Sequence, residues 1–322
     1  MRAAYYEKNG PTDVLHVGEV DTPQPGPGEV RVKLKTSGVN PSDVKTRAGT
    51  ARKIAFPRVI PHSDGAGVID AVGEGVAASR IGERVWTWNG QWKRPFGTAA
   101  EYIVLPEIQA VTLPDATGFE AGACLGIPAL TAWHAIDIAG TKSGMTLLIA
   151  GGAGAVAHYA IQFAKARGAF VLTTVSSPEK ARLALEAGAD VAIDRKTEDV
   201  GARVMELTKT GVDAVIELDL TANAALLPAT LRPRGTLVVY GTGPQVQFPG
   251  SFCLVNNVTV KFLLVYELTA DERTRAVDAI TRMLQANRLK HNVAQTFPLA
   301  EVVAAHQAVE SGKVAGNVVM TM

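Results

Sequence analysis

The chain has 322 residues, 47% of them hydrophobic, enough for a sizeable core and, at ordinary domain sizes, for two domains. With 32 Lys and Arg against 31 Asp and Glu the net charge is +1, so no global field draws it to nucleic acid or an anionic membrane, and a small, weakly charged ligand fits better. The two cysteines, Cys124 and Cys253, lie in apolar stretches without CxxC spacing, which excludes a disulfide framework and makes a reducing compartment the default.

The start, MRAAYYEKNGPTDV, lacks the basic-then-apolar run of a signal peptide, and no segment approaches the roughly 20 apolar residues of a membrane span. A cytoplasmic protein with no membrane partner is expected. From Met1 to about Pro114 short apolar runs at near period two alternate with Gly and Pro (RVKLKTSGVN, GAGVIDAVGEGV, ERVWTW, AEYIVL), predicting a β-rich region of antiparallel or barrel character. From about Phe119 fully apolar short strands (TLLIA, FVLTTV, VDAVIEL, GTLVVYG) alternate with helical patterns, predicting a parallel sheet covered on both faces. After Lys261, FLLVYEL predicts one more strand; a helix from about Asp271, its N-cap, to Asn287 and a final strand in VAGNVVMTM follow. The tail is expected to return to the first domain, giving an α/β chain with residues 1–118 and 265–322 in one domain and 119–264 in the other.

The strongest chemical signal is TLLIAGGAGAVAHYAIQFAKARGAFVLTTVSS, in which a strand ends at Ala150 and a helix begins near Ala155. Gly152, Gly154 and Ala157 fit G-x-G-x-x-G/A: Gly152 for the tight turn, Gly154 for approach of the backbone to a pyrophosphate, Ala157 for close helix packing. The run Gly152, Ala153, Gly154, Ala155, Val156 is therefore expected to hold a dinucleotide at a helix N-terminus. An ordinary Gly-rich connection is the alternative, and the strand-helix-strand context argues against it. An acid about 20 residues past the glycines would select NADH. Here the strand runs instead into Ser176 and Ser177, with Lys180 and Arg195 near by, a set suited to the 2′-phosphate of NADPH. The alternatives are that Lys180 and Arg195 are plain surface charges, or that Glu179 is the acid in a register shifted by two.

GVNPSDVKTRAG, PHSDGAGVIDAVGEGV, ERVW, GTAAEYIVLP, LGIPALTAWHAI and SGKVAGNVVMTM, in this order and spacing, resemble the zinc-independent quinone oxidoreductases, the zeta-crystallin-like branch of the medium-chain dehydrogenases/reductases. The resemblance implies a GroES-like β-barrel catalytic domain built from both termini, an inserted Rossmann doubly wound parallel-sheet domain that binds NADPH, an active site in the cleft, and commonly a homodimer or tetramer. It places Asn40 and Asp43 on the family's NPxD segment, Thr131 toward the nicotinamide and Gly241 in the turn beneath that ring. It departs at Ala51, where an aromatic is common, at Arg195, where Tyr is, and at Asn317, which stands where Lys is frequent and is counted with the cofactor positions.

Zinc-dependent relatives carry a Cys and a His-Glu pair where this chain has Asn40, Ser63 and Asp64, and His62 is displaced by one residue, so no metal is expected. Without a Lewis acid the acceptor must itself be electrophilic, a quinone or an enal, enone or substituted acrylate. Asn40 and Thr131 then become donors to a developing oxyanion, although locally they read equally well as a turn Asn and a helical Thr. Asp43 fits a proton relay or an N-cap, His134 a core histidine or an acid, and Trp86, Trp88 and Trp92 core aromatics or a cleft wall. A nucleotide-binding structural protein of crystallin type, or an RNA-binding one, is the alternative from another class; the neutral charge counts against RNA.

Overall fold

In the segment EVRVKLKTSGV the side chains alternate until Thr36, with Val30, Val32 and Leu34 buried; beyond it Ser37, Gly38 and Val39 are all buried, because the end of this strand faces packed neighbours on both sides. The computed structural model describes residues 1–322 and divides into two compact units, residues 1–128 with 277–322 and residues 129–276.

The first unit is β-rich. Its strands are β1 (Arg2–Tyr5), β2 (His16–Glu19), β3 (Glu29–Val39), β4 (Asp64–Val72), β5 (Arg84–Thr87), β6 (Tyr102–Pro106) and β7 (Ala110–Thr112), with helices α1 (Pro41–Ala48) and α2 (Phe119–Gly122). The second unit carries α3 (Leu130–Ile138), β8 (Thr146–Ile149), α4 (Ala155–Ala166), β9 (Phe170–Val175), α5 (Pro178–Glu186), β10 (Val191–Asp194), α6 (Val200–Thr208) and β11 (Val212–Glu217). It continues through α7 (Leu220–Asn223), α8 (Leu227–Thr230), β12 (Leu231–Val239), α9 (Gly250–Val255) and β13 (Thr259–Phe262) into α10 (Ala270–Gln285). Within α10, at Val277, the chain returns to the first unit, which continues with β14 (Val293–Pro298), α11 (Val302–Glu310) and β15 (Asn317–Thr321).

In the first unit a seven-stranded sheet runs β14-β15-β3-β4-β5-β7, with β6 also on β3, and every pairing but β14 with β15 is antiparallel. The second unit is a six-stranded parallel sheet in the order β10-β9-β8-β11-β12-β13. From β8 the chain winds outward to β10, then restarts at β11 and winds the other way, so the strand order reverses between β8 and β11. In open α/β sheets that crevice is where ligands bind. The α/β class, with a β-barrel-like unit and a doubly wound unit, agrees with the sequence reading.

Two local expectations differ. The strand expected in FLLVYEL ends at Phe262, and Val265–Glu267 form a 3-10 turn instead. Its partner β12 stops at Val239, opposite Phe262, so later residues have no edge to pair with. Helix α10 is capped by Thr269 rather than Asp271: the Glu272 N–H donates to Thr269 Oγ1 (3.3 Å) while the Thr269 N–H donates to Glu272 Oε2 (2.9 Å), a T-x-x-E capping box. No helix is long and apolar enough to cross a membrane.

Candidate active site

In the second unit the turn after β8 is built by three glycines with different tasks. The left-handed residue is Gly151 (φ +69°), so the tight turn expected at Gly152 is made one residue earlier. Gly152 is required for packing: a Cβ there would lie 2.3 Å from Thr173 Oγ1 and 3.0 Å from the Ala184 Cβ. The Gly151 and Gly152 N–H groups donate to Thr174, to Oγ1 and to the backbone oxygen respectively, both at 3.0 Å, which ties the turn to β9. Gly154 is the N-cap of α4 and offers no capping side chain, so the first-turn amides of Ala155 and Val156 face outward without a protein acceptor. Ala157 is buried beneath them, and Ala153 is buried in the turn itself.

Ser176 and Ser177 follow the last residue of β9, and the Arg195 N–H donates to the Val175 carbonyl at 3.1 Å, so Arg195 emerges beside them. Ser177 caps α5, its Oγ accepting from the Lys180 N–H at 3.3 Å, which leaves the hydroxyl hydrogen to donate elsewhere. Lys180 is half-buried on that first turn, and Ser176, Ser177, Lys180 and Arg195 thus share one corner of the sheet. Asp194, the last residue of β10, is folded into its own turn, where Oδ1 accepts from the Lys196 N–H at 3.0 Å.

Thr131 lies buried in the first turn of α3, its hydroxyl without a hydrogen bond to the chain. His134, one turn on, is also buried, and its Nε2 lies 3.8 Å from Glu272 Oε1; burial lowers its pKa. Gly241 follows β12 where any side chain would strike the Leu218 carbonyl, 1.8 Å from a Cβ. The sequence reading passed over Glu217, buried at the end of β11 beside the strand-order reversal. Its Oε1 accepts from the Asp219 N–H (2.6 Å) and Asn223 Nδ2 (2.9 Å), and burial raises its pKa.

The first unit gathers a different kind of site around α1. Asn40 is the N-cap of α1, and its backbone N–H donates to Asp43 Oδ2 at 2.8 Å. Its side-chain Nδ2 donates to Asp64 Oδ2, also at 2.8 Å. Asp64 is fully buried at the start of β4, and its other oxygen, Oδ1, has no hydrogen-bond partner. Gly126 must be glycine here, since a Cβ would fall 2.4 Å from Asp64 Oδ1. Burial pushes the Asp43 carboxyl up to about 7, opposed by the Asn40 hydrogen bonds. Burial and the neighbouring Asp43 together raise Asp64 well above the usual carboxylate range.

Beneath this cluster runs a buried chain of donors. Thr98 Oγ1 donates to the Asp64 carbonyl (2.6 Å), so its oxygen accepts from Ser37 Oγ (2.8 Å), and Ser37 in turn accepts from His62 Nδ1–H (2.9 Å). His62 Nε2 then accepts from His306 Nε2–H at 2.9 Å, a contact spanning 244 residues of sequence. Each hydroxyl has one hydrogen, so a single direction satisfies every link and fixes both tautomers. Both ring nitrogens of His62 are thereby engaged within the protein. Desolvation holds His62 well below the ordinary imidazole range and His306 at about 3. Arg47, fully buried, donates to the Gly10 carbonyl (2.9 Å) and pairs with Glu310 beside His306.

Asn317 belongs to this unit, buried on β15, with Nδ2 donating to the Asn292 carbonyl at 3.0 Å. Trp86 and Trp88 are core residues, while Trp92 is half-buried beneath Arg52. A pocket of about 270 Å³ lined by residues such as Pro23, Arg94, Phe96 and Tyr102 contains none of Asn40, Asp43 and Asp64.

Two family models match the chain: an alcohol dehydrogenase GroES-like domain over residues 26–115 and a zinc-binding dehydrogenase domain over residues 155–282. Among curated proteins it is similar to a quinone oxidoreductase of Pseudomonas aeruginosa, 31% identical over 319 residues that cover 97% of this chain and 96% of that one. It is also 29% identical to a 2-haloacrylate reductase of Burkholderia sp, over 99% of this chain and 98% of that protein. Among solved structures, a mycobacterial protein in complex with NADPH superposes with a TM-score of 0.88 at 31% identity, covering 100% of both chains.

Proposed function

The chain belongs to the quinone oxidoreductase family of the medium-chain dehydrogenases/reductases, and from that premise we propose that it transfers a hydride from NADPH, without a metal, to a quinone or, as the second reading, to an enal, enone or substituted acrylate. One observation carries the reading: an uncapped helix N-terminus stands at the strand-order reversal, and hydroxyls and cations stand at the neighbouring strand ends. The fit to the cofactor rests on the turn itself. A Cβ at Gly154 would meet only the Gly151 oxygen, at 3.1 Å, so the backbone there is open to a ligand.

NADPH, when bound, supplies the hydride. Ala153, Gly154, Ala155 and Val156 would hold its pyrophosphate through backbone amides and the helix dipole. Ser176, Ser177, Lys180 and Arg195 would hold the 2′-phosphate with charge-assisted hydrogen bonds. Thr131 and Gly241 are assigned to the nicotinamide end on the family pattern.

Asn40, its carboxamide oriented by Asp64, is assigned to the oxygen that gains negative charge. Asp43, whose carboxyl titrates at about 7, is assigned to proton delivery beside it, with water as the ultimate source. The metal-free reading is supported by Asn40, Ser63 and Asp64 at the positions of the zinc ligands and by the engagement of both His62 ring nitrogens. The exposed Leu254, Val255, Phe262 and Leu264 on and beside the edge strand β13 support a homodimer in which a second copy covers that edge. Two free cysteines, one buried and one half-buried, agree with a cytoplasmic location.

The test is consumption of NADPH with a naphthoquinone and with an alkenone, side by side. Turnover of at least one is expected; turnover of neither, with NADPH bound, defeats the proposal and favours a structural role.

A further inference from the structure

The loop after α1 places a guanidinium beside the Asn40 cluster, and its surroundings are unlike those of the other half-buried arginines of the barrel unit. Arg31, Arg80 and Arg84 pair with Asp70, Glu83 and Asp115, and Arg94 donates to the Gly90 and Val104 carbonyls. Arg52 forms no ion pair. Its Nη2 makes two stretched hydrogen bonds, 3.4 Å to Thr46 Oγ1 and 3.5 Å to Gln91 Oε1, and its guanidinium lies over the Trp92 ring, 4.3 Å from the centroid.

Those partners tie Arg52 to the site. Thr46 is three residues after Asp43 on α1, so the two share a helix face. Gln91 and Trp92 belong to a loop anchored on Ser63, whose carbonyl accepts from the Gly90 N–H (2.9 Å) and whose Oγ accepts from the Gln91 N–H (3.4 Å), next to Asp64. Arg52 also acts electrostatically on Asp43 and Tyr6, as only a near neighbour does. A planar cation stacked on indole keeps its edge free for a bidentate acceptor. The weak contacts to Thr46 and Gln91 are ones that an anion would displace at little cost.

We propose that Arg52 is an anion-recognition residue of the acceptor site, so that the preferred acceptor within the conjugated class is a small α,β-unsaturated carboxylic acid held through its carboxylate. This rests on the hydride-transfer reading. In the reaction the β carbon of the C=C bond gains the hydride, the α carbon gains a proton from water, NADPH is oxidised to NADP⁺, and the carboxylate is unchanged. A carboxylate suits the position better than a bulky polyanion because one guanidinium provides one bidentate face.

The experiment compares a substituted acrylate with its methyl ester as NADPH-dependent substrates of the wild-type enzyme and of Arg52→Gln and Arg52→Lys. Wild type is expected to prefer the acid, with a preference that weakens as salt rises. Arg52→Gln is expected to raise KM for the acid about tenfold or more and to lower the acid-to-ester ratio of kcat/KM by the same factor, with Arg52→Lys between them. Equal losses on acid and ester would assign Arg52 a structural role and overturn the proposal. So would a wild type without preference for the acid, a result that needs no variant to fold. Turnover of a quinone but not of the acid overturns this inference alone; turnover of no acceptor overturns the hydride-transfer reading itself.

Discussion

In the nucleotide-binding unit the groups assigned to a ligand are backbone amides and solvent-facing side chains: the first turn of α4, and Ser176, Ser177, Lys180 and Arg195 at the strand ends. In the barrel unit the assigned groups, Asn40 and Asp43, are buried among titratable side chains bonded to one another: Asn40 to Asp64 and Asp43, and His62 to His306 and Ser37. The first arrangement depends on the path of the backbone. The second depends on which atoms carry protons, so acid and base should disturb it first.

Breaking the backbone path should have the largest effect. Gly152→Val places carbons against Thr173 and Ala184, and NADPH binding, followed by fluorescence titration, is expected to weaken about a hundredfold or more. Lys180→Glu comes next: the Kd for NADPH should rise roughly tenfold to a hundredfold and that for NADH far less, since only the 2′-phosphate meets the reversed charge. Equal effects on both cofactors would remove the 2′-phosphate assignment.

In the barrel unit His306→Phe takes the donor from His62 Nε2 and should lower stability by about 1–3 kcal/mol in urea unfolding at neutral pH. Native His306 stays neutral down to about pH 3, whereas the unfolded imidazole takes a proton near 6.5. At this one group the unfolded state therefore binds more protons between those values, and the His306 contribution to stability is lost as pH falls through that window, by at most about 1.4 kcal/mol per pH unit for one proton. Asp43 works in the other direction. Its carboxyl titrates at about 7 when folded and 3.8 when unfolded, so its contribution falls as pH rises from 3.8 through 7. Between pH 4 and 6.5 Asp43→Asn should consequently make the slope of stability against pH more positive than in wild type, and His306→Phe should make it less positive. A pair of unchanged slopes would contradict the protonation states assigned here.

The same contrast decides what was legible in the sequence. The strand, turn and helix around Gly152 and Gly154 are neighbours in the chain, so periodicity and glycine spacing place them; only the division of labour with Gly151 needed φ values. The barrel cluster is long-range: Asn40 meets Asp64 across 24 residues and His62 meets His306 across 244, and no local pattern marks either contact. His306 sits in an ordinary-looking helix, VVAAHQAVE, and Arg52 in a run, RAGTARK, that reads as surface charge. Family resemblance singled out Asn40 and Asp43, but that Asp64 holds Asn40, and that Gly126 makes room for Asp64, follows only from coordinates. The end of β13 was misplaced for a related reason, because a strand stops where its partner does.

The most direct measurement of hydride transfer uses NADPH carrying deuterium in the transferring position at C4 of the nicotinamide, with a conjugated acceptor in ordinary water. Direct transfer requires the deuterium on the β carbon of the product, read by NMR or mass spectrometry, and a solvent-derived proton on the α carbon. A reduced product without deuterium, or loss of the label to water, would contradict it.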